Sequence, residues 1–323
     1  MLSKHAYFLQ GIVKDQFFTD DEMRSKYSHD ETEDIRILPA CVIKPETVEQ
    51  VSQILAYCNE HKIPVTPMGA RTGLSGGAIP ILNGVALSME RFNRILKIDE
   101  QNHQVVTEPG VITQVLQDAV KEKGLFYPPD PASKGSCFIG GNVSENSGGP
   151  KAVKYGVTKD YVLNLEVVLA DGSVIWTGAN VLKNATGYNL TQLIVGSEGT
   201  LGVITKIVLK LLPHPTHDAL LLVPFLSAKQ ACEAVAAIYA KGVIPSGLEF
   251  MERDALLWTQ AFTNDQTIAV RDNHQAHLLI EVDGFNPDVL MSDCEAILAV
   301  LEQFETDEIL FAESQAQKDA LWN

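Results

Sequence analysis

Apolar residues at Val48, Val51, Leu55 and Cys58 recur at helical spacing and predict an amphipathic helix that stops near His61. Ahead of it, Thr47-Val48-Glu49-Gln50 has the T-x-x-Q form of a capping box, in which hydroxyl and amide side chains satisfy the free N–H groups of the first turn. The apolar stretch 35–43 reads as a strand before this helix, and 64–67 as a strand after it. Residues 1–33 read as a charged, helical lead-in ending at Ser28-His29-Asp30-Glu31. Strand, helix, strand and a following glycine-rich loop make an α/β unit. A ligand belongs at the carboxyl end of such a strand.

A second region, 84–213, is dominated by strands. Runs at 85–89, 104–107, 165–170, 173–177 and 203–211 are apolar and β-branched, and Asp171-Gly172 between two of them is a hairpin signal. One helix is predicted at 113–123, closed by Gly124. This region is α+β, with no second parallel repeat. Pro213-His214-Pro215 favours an extended connector and marks a boundary. Beyond it, strands at 219–225, 248–251, 277–282 and 309–312 alternate with helices. One helix opens at a predicted capping box, Ser227-Ala228-Lys229-Gln230, and ends at Gly242; another covers 287–304. Their spacing suggests a two-layer sandwich. Residues 314–323 read as an amphipathic helix with no C-capping glycine, so a chain cut short just after Trp322 is the expectation.

Composition narrows the function. At 323 residues, with 46% hydrophobic and 20% charged residues, the chain has the length for two or three cored domains and the make-up of a globular enzyme. Its 25 basic and 41 acidic residues leave a formal charge of −16, which disfavours nucleic acid and anionic lipid as partners. The five cysteines (Cys41, Cys58, Cys137, Cys232, Cys294) are scattered without a C-x-x-C pair, which excludes zinc-ribbon and iron–sulfur patterns and fits a reducing compartment. Met1-Leu2-Ser3-Lys4-His5 lacks the apolar core of a signal peptide, and no run reaches membrane-spanning length. A cytoplasmic protein is expected. The histidines show no H-x-x-x-H or H-E-x-x-H spacing, so no metal site is expected from them.

Four segments carry candidate chemistry. The first, Pro67-Met68-Gly69-Ala70-Arg71-Thr72-Gly73-Leu74-Ser75-Gly76-Gly77, puts four glycines, two hydroxyls and one arginine within eleven residues. Such a loop can approach a ligand closely and present successive N–H groups to phosphate oxygens. It is not a Walker A loop, because Leu74-Ser75 stands where Lys and Ser or Thr are needed. It is not G-x-G-x-x-G either, because Arg71 occupies the second glycine position. The second segment is Tyr127-Pro128-Pro129-Asp130-Pro131-Ala132-Ser133, an extended proline rim. The third runs from Ser136-Cys137-Phe138-Ile139-Gly140-Gly141-Asn142 through Val143-Ser144-Glu145-Asn146-Ser147-Gly148-Gly149-Pro150 to Tyr155-Gly156. The fourth, Gly196-Ser197-Glu198-Gly199-Thr200-Leu201-Gly202-Val203-Ile204-Thr205, leads into a β-branched strand. Each alone is as readily a turn as a cradle, but together they suggest convergence on one ligand.

Together these segments resemble the FAD-binding PCMH-type oxidoreductases of the vanillyl-alcohol oxidase superfamily. The resemblance is to the branch of D-lactate dehydrogenases, the FAD subunit of glycolate oxidase and D-2-hydroxyglutarate dehydrogenase, and it extends from about Pro39 onward. It includes Lys183-Asn184-Ala185-Thr186-Gly187-Tyr188-Asn189-Leu190, similar to that branch's K-x-x-x-G-Y-D-L element with Asn189 in place of Asp. The resemblance implies an α+β fold: a PCMH-type FAD-binding domain over 34–213, made of two α+β subdomains (about 34–83 and 84–213), then an α/β-sandwich cap or substrate domain over 214–323. The loop from Pro67 to Gly77 would hold the pyrophosphate, with Arg71 and Thr72 at its centre. Pro129, Asp130, Pro131 and Ser133, with Gly140, Gly141, Asn142, Ser144, Asn146, Gly148 and Gly149, would line the flavin ring and ribityl chain. Tyr155, Gly156, Glu198, Gly199, Gly202 and Ile204 would close the adenosine side and far wall. No histidine lies in 64–80, so the FAD is expected to be non-covalent.

The resemblance also implies a reaction: oxidation of a small D-2-hydroxy acid of the lactate, glycolate or 2-hydroxyglutarate type to the 2-oxo acid, with hydride transfer to flavin N5. An electron acceptor is then required, whether quinone, cytochrome, electron-transfer flavoprotein, dioxygen or a partner subunit through which the protein would sit at a membrane surface. The branch's W-x-x-R element begins at Trp322, which would put its carboxylate-binding arginine, and any divalent-metal site, past Asn323. No catalytic residue carries over, and Lys183 is the one basic candidate near the flavin segments. Two further readings stand beside this one: an enolpyruvyl-sugar reductase-like flavoenzyme of the same superfamily, and a non-catalytic FAD-binding subunit or fragment.

Overall fold

The computed structural model describes residues 5–264, 266 and 268–322. Residues 1–4 and Asn323, on which the readings of the two chain ends partly rest, lie outside the described residues. Two compact units result. One comprises Met1–Gly148 and Val157–Pro213; the other comprises Gly149–Gly156 and His214–Asn323.

The first unit opens with α1 (Ala6–Val13), β1 (Phe17–Phe18) and α2 (Asp21–Lys26), followed by β2 (Cys41–Ile43), α3 (Val48–Glu60), β3 (Val65–Met68) and β4 (Val85–Ser88). β2, β4 and β3 lie parallel in that order, and β1 adds antiparallel on β2. The box at the start of α3 is complete: the Gln50 N–H donates to Thr47 Oγ1 at 3.3 Å, and the Thr47 N–H to Gln50 Oε1 at 3.3 Å. The buried face of α3 (Val51, Ile54, Leu55, Cys58) packs with Leu9, Ile43 and Leu87, and also with Val168 and Val203 from farther along the chain. The expected strand 35–43 shrinks to the three residues of β2. Its upstream half is spoken for elsewhere, since the Ile37 N–H donates to the Ser28 carbonyl and Arg24 Nε to that of Pro39.

The same unit continues with β5 (Ile95–Asp99), β6 (Gln104–Thr107), α4 (Thr113–Lys121), β7 (Leu125–Phe126) and α5 (Ile139–Glu145). After α6 (Ala152–Tyr155), which falls in the second unit, come β8 (Val162–Val168), β9 (Val174–Trp176), α7 (Leu190–Ile194), β10 (Val203–Lys210) and β11 (Leu212–Pro213). Strands β5-β6-β10-β8-β9 form one antiparallel sheet, with Ile207 opposite both Thr107 and Leu165. The Asp171-Gly172 turn joins β8 to β9, with Gly172 at φ +86°. Ser52 Oγ on α3 donates to the Gly172 carbonyl at 2.6 Å, and a Cβ there would press on the Ser52 carbonyl, so this turn is also a packing contact.

In the second unit, β12 (His217–Phe225), α8 (Ala228–Ala240), β13 (Gly247–Glu252), α9 (Arg253–Thr263), β14 (Ala276–Gly284), α10 (Pro287–Leu301), β15 (Leu310–Phe311) and α11 (Gln315–Trp322) build an antiparallel sheet of order β13-β14-β12-β15. Leu221, Val223, Leu278 and Ile280 pack against Ala231, Ala234 and Ile238 of α8 and Cys294 and Ile297 of α10. The expected box at Ser227 is only half made. Ser227 Oγ accepts from the Gln230 N–H at 3.4 Å, but Gln230 Oε1 instead accepts from the Glu305 N–H at 2.7 Å. α9 escapes the sequence pattern because it buries only Leu256 and leaves Trp258 and Phe262 exposed.

The sheet face away from α8 and α10 is partly polar and is covered by chain from two places. Glu281 pairs with Lys151, and Asp283 receives Lys154 Nζ at 2.6 Å and the Tyr155 hydroxyl at 2.8 Å. These bonds put 149–156 in this unit, apart from the rest of the continuous domain expected over 34–213. Trp322 Nε1 donates to Glu281 Oε2 at 3.1 Å, over the bare backbone of Gly247. Among the described residues, no helix is long and apolar enough to cross a membrane.

Candidate functional site

The first unit contains a cleft of about 330 Å³, walled by three chain segments. β3 ends at Met68 and delivers the glycine loop. The chain entering α5 supplies a second wall, and the turn before β10 supplies the third. Local backbone conformation shapes each wall. Arg71 sits at φ +63° and Glu198 at φ +53°, left-handed values that cost a residue with a Cβ about 1–2 kcal/mol, while Gly76 and Gly199 take φ +79° and +74° at no such cost.

The glycines of these walls do different jobs. A Cβ on Gly140 would run into Pro109, and one on Gly202 would meet Val167 Cγ1 at 2.6 Å, so these two permit packing behind the wall. A Cβ on Gly73 or on Gly141 would meet nothing within 4 Å, so their backbones lie bare to open space. Asn142 is buried and fixed by its Nδ2, which donates to Thr113 Oγ1 at 2.5 Å; the same hydroxyl lies 3.3 Å from Cys137 Sγ.

Among the described residues, four charged ones line the cleft: Asp30, Arg71, Glu145 and Glu198. The Arg71 guanidinium carbon lies 4.2 Å from the centre of the Tyr27 ring. Glu145 and Glu198 converge on Gly77. Desolvation in the wall, then the neighbouring charges of Glu198 and Asp30, push the Glu145 carboxyl above its usual range, against a hydrogen bond from Ser75.

Of the residues singled out in sequence, Pro67, Gly69, Ala70, Arg71, Thr72, Gly73, Leu74, Ser75 and Gly77 all line the cleft. So do Ser133, Gly140, Gly141, Asn142 and Ser144, and so do Glu198, Gly199, Gly202 and Ile204. Gly76 does not; it supplies the positive φ that turns the loop. The rim Pro129, Asp130 and Pro131 stands outside the lining. It is irregular chain held to α4, where Gln117 Nε2 donates to the Pro129 carbonyl at 3.0 Å. Asn146 is the left-handed cap of α5, its Oδ1 accepting from the Lys159 N–H, and Gly148 also lies outside the lining. Gly149, Tyr155 and Gly156 belong to the second unit, with the Tyr155 hydroxyl on Asp283, so the wall expected of them is not formed within the first unit. Lys183 is exposed in the loop between β9 and α7 and does not line the cleft.

Several lining residues were not anticipated. Cys137, Phe138, Glu145 and Val203 lie inside segments already marked by their glycines, so the signal was there. Asp30, Met89 and Pro109 come from elsewhere in the chain and carry no local signature. Among the described residues, no three His, Cys, Asp or Glu side chains are grouped so as to hold a metal ion.

Residues 39–178 match the family described as FAD binding domain, and 214–323 match that of FAD linked oxidases, C-terminal domain. The chain is 41% identical over 322 residues to a glycolate oxidase subunit GlcD of Bacillus subtilis, covering 97% of this chain and 67% of that protein. It belongs to the FAD-linked oxidases. A D-lactate dehydrogenase of Anaerostipes hadrus is 36% identical, with 96% of this chain and 66% of that relative covered. This FAD-linked oxidase thus spans about two thirds of the length of these relatives. A solved alkyldihydroxyacetonephosphate synthase superposes with a TM-score of 0.82 at 19% identity, over 95% of this chain and 60% of the other, which shows a common fold. By family the chain is an FAD-linked oxidoreductase of the glycolate oxidase and D-lactate dehydrogenase kind, with FAD as its cofactor. The cleft fits such a group, because a flat dianionic molecule needs bare backbone to approach and a cation, and Gly73, Gly141 and Arg71 offer both.

Proposed function

We propose that this FAD-linked oxidase holds FAD in the glycine-walled cleft and oxidises a small D-2-hydroxy acid, of the glycolate, D-lactate or 2-hydroxyglutarate type, to the 2-oxo acid. The observation that carries the cofactor half is the pair Gly73 and Gly141, whose missing side chains leave backbone open to the cleft from two walls. The N–H groups of the loop from Gly69 to Gly77 would face the diphosphate, and Arg71 would neutralise part of its charge. Asn142, held by Thr113, and the bare backbone of Gly141 would set the flavin against the second wall. Glu198 to Ile204 would close the third. Bound FAD supplies a two-electron acceptor for the hydride on the substrate's α-carbon.

The substrate half rests on the relatives, whose names specify glycolate and D-lactate. An electron acceptor must then reoxidise the flavin: a quinone, a cytochrome, an electron-transfer flavoprotein, dioxygen or a partner subunit. We assign the chain two functional domains, an FAD-binding one through Pro213 and a cap from His214 onward, joined by the Pro213-His214-Pro215 connector.

The test has two parts. Purified protein is expected to show flavin absorbance, and to release intact FAD on acid or heat treatment, since 64–80 contains no histidine. Protein that stays colourless after incubation with FAD would sink the cofactor reading. Anaerobic mixing with glycolate, D-lactate and D-2-hydroxyglutarate is expected to bleach the flavin with at least one of them. No bleaching by any, in protein loaded with FAD, counts against the substrate reading alone.

A further inference from the structure

Among the described residues lining the cleft, Arg71 is the only basic one, against three carboxylates, Asp30, Glu145 and Glu198. A diphosphate entering the cleft therefore depends on one guanidinium. Yet Arg71 occupies a left-handed backbone position, φ +63°, that glycine would fill at lower cost. A side chain kept at such a position must contribute something to offset that strain.

Its surroundings show what holds it. The guanidinium carbon lies 4.2 Å from the centre of the Tyr27 ring, within the range where a cation over an aromatic face is attracted. Tyr27 is itself buried and fixed. Its hydroxyl donates to Glu90, which also accepts from Lys44 Nζ at 2.9 Å and from Ser88 Oγ at 3.1 Å. Immediately after Asp30 the same segment grips the loop again: the Glu31 N–H donates to the Gly73 carbonyl at 3.0 Å. The lead-in residues 27–31 thus touch the glycine loop through a ring and a backbone bond, and place Asp30 in the cleft wall.

We infer that Tyr27 is a positioning residue: its ring holds the Arg71 guanidinium flat in the cleft wall, where it meets the FAD diphosphate. The inference rests on the reading above that the cleft holds FAD. A free arginine side chain would lose several rotatable bonds of freedom on binding the anion, and a preformed stack removes part of that loss before the ligand arrives. The stack also keeps the guanidinium from pairing with Glu145 or Glu198, which line the same cleft. Lys44, 5.1 Å from the same ring centre, is tied to Glu90 and makes the Tyr27 seat rigid.

The experiment is an FAD titration of flavin-free protein, followed by the change in flavin fluorescence, on wild type, Tyr27→Phe, Tyr27→Leu, Arg71→Ala and the Tyr27→Leu/Arg71→Ala pair. A wild type that binds no FAD overturns the underlying reading. With wild-type binding in hand, Tyr27→Phe keeps the ring and is expected to stay within about twofold, while Tyr27→Leu is expected to bind roughly tenfold more weakly. The double variant is expected to match Arg71→Ala alone, since the ring acts only through the guanidinium. Unchanged affinity in Tyr27→Leu, or a further tenfold loss when it is added to Arg71→Ala, overturns the inference and leaves the FAD reading standing. If Tyr27→Leu fails to fold, Arg71→Lys decides. It keeps the charge but lacks the flat face that stacks, so a loss of several-fold supports the inference and full affinity overturns it.

Discussion

Gly140 and Gly141 are chain neighbours with opposite needs: a Cβ on Gly140 collides with Pro109, whereas a Cβ on Gly141 meets no atom within 4 Å. One glycine is required by the protein and the other by whatever enters the cleft. Gly140→Ala is therefore expected to lower the melting temperature of flavin-free protein, with a destabilisation of about 1–3 kcal/mol from overpacking. Gly141→Ala, inside α5, is expected to melt no lower than wild type without FAD, with a gain of up to about 1 kcal/mol, and to bind FAD several-fold more weakly. Thermal melts of both variants, with and without added FAD, separate the two effects; equal behaviour would contradict this division.

The glycine loop offers a second contrast. Gly73 has open space where a side chain would go, and it does not sit at positive φ. Gly73→Val should leave the flavin-free fold intact and weaken FAD binding by tenfold or more. Gly84 would seem a natural control outside the loop, but a Cβ there would collide with the Pro64 carbonyl. Gly11, in α1 with nothing within 4 Å, is the sound control, and Gly11→Ala is expected to retain FAD and gain up to about 1 kcal/mol of stability. FAD retention by Gly73→Val equal to that of Gly11→Ala would show the loop to be a turn and nothing more.

FAD affinity should depend on pH through Glu145. Its carboxyl is raised above the usual range by desolvation and by Glu198 and Asp30. Below that raised pKa Glu145 is neutral and tolerates a diphosphate nearby; above it, a third negative charge lines the cleft. Affinity is expected to fall as pH rises through the raised pKa and then level off. Glu145→Gln should bind more tightly than wild type on the alkaline side and lose this step. The same shift makes flavin-free protein relatively more stable below the pKa than above it. A titration of Glu145→Gln that parallels wild type at every pH would remove Glu145 from the account.

Acid stability should depend on His277 in the second unit. It is fully buried on β14, and desolvation followed by the nearby His274 lowers its pKa from 6.5 to about 4. Unfolded chain takes up a proton near pH 6.5 that the folded chain refuses until about pH 4. Stability contributed by the neutral ring is thus present above pH 6.5 and declines as pH falls toward 4, by at most about 3 kcal/mol. His277→Leu is expected to flatten the acid arm of the melting curve between those limits. An unchanged acid arm would mean that other groups govern it.

Sequence alone determined the elements whose signals are local. The α3 capping box and the Asp171-Gly172 turn follow from contacts within a few residues, and the strands 104–107 and 203–210 carry a local run of β-branched residues although their partners lie far along the chain, so these patterns survive in the folded chain. The glycine segments were legible for the same reason, because a missing Cβ is a property of the residue itself. What those glycines are for was decided only by packing: Gly140 against Pro109, Gly172 against α3, Gly73 and Gly141 against nothing. Strand 35–43 was overdrawn because an apolar pattern does not reveal that Ile37 and Pro39 bond to the lead-in instead of a sheet. Tertiary structure likewise assembled Asp30, Met89 and Pro109 into the cleft, set Arg71 on Tyr27, and moved Tyr155 onto Asp283 in the other unit. Those contacts join residues 44 to 128 positions apart, and no local period or motif encodes a partner at that distance.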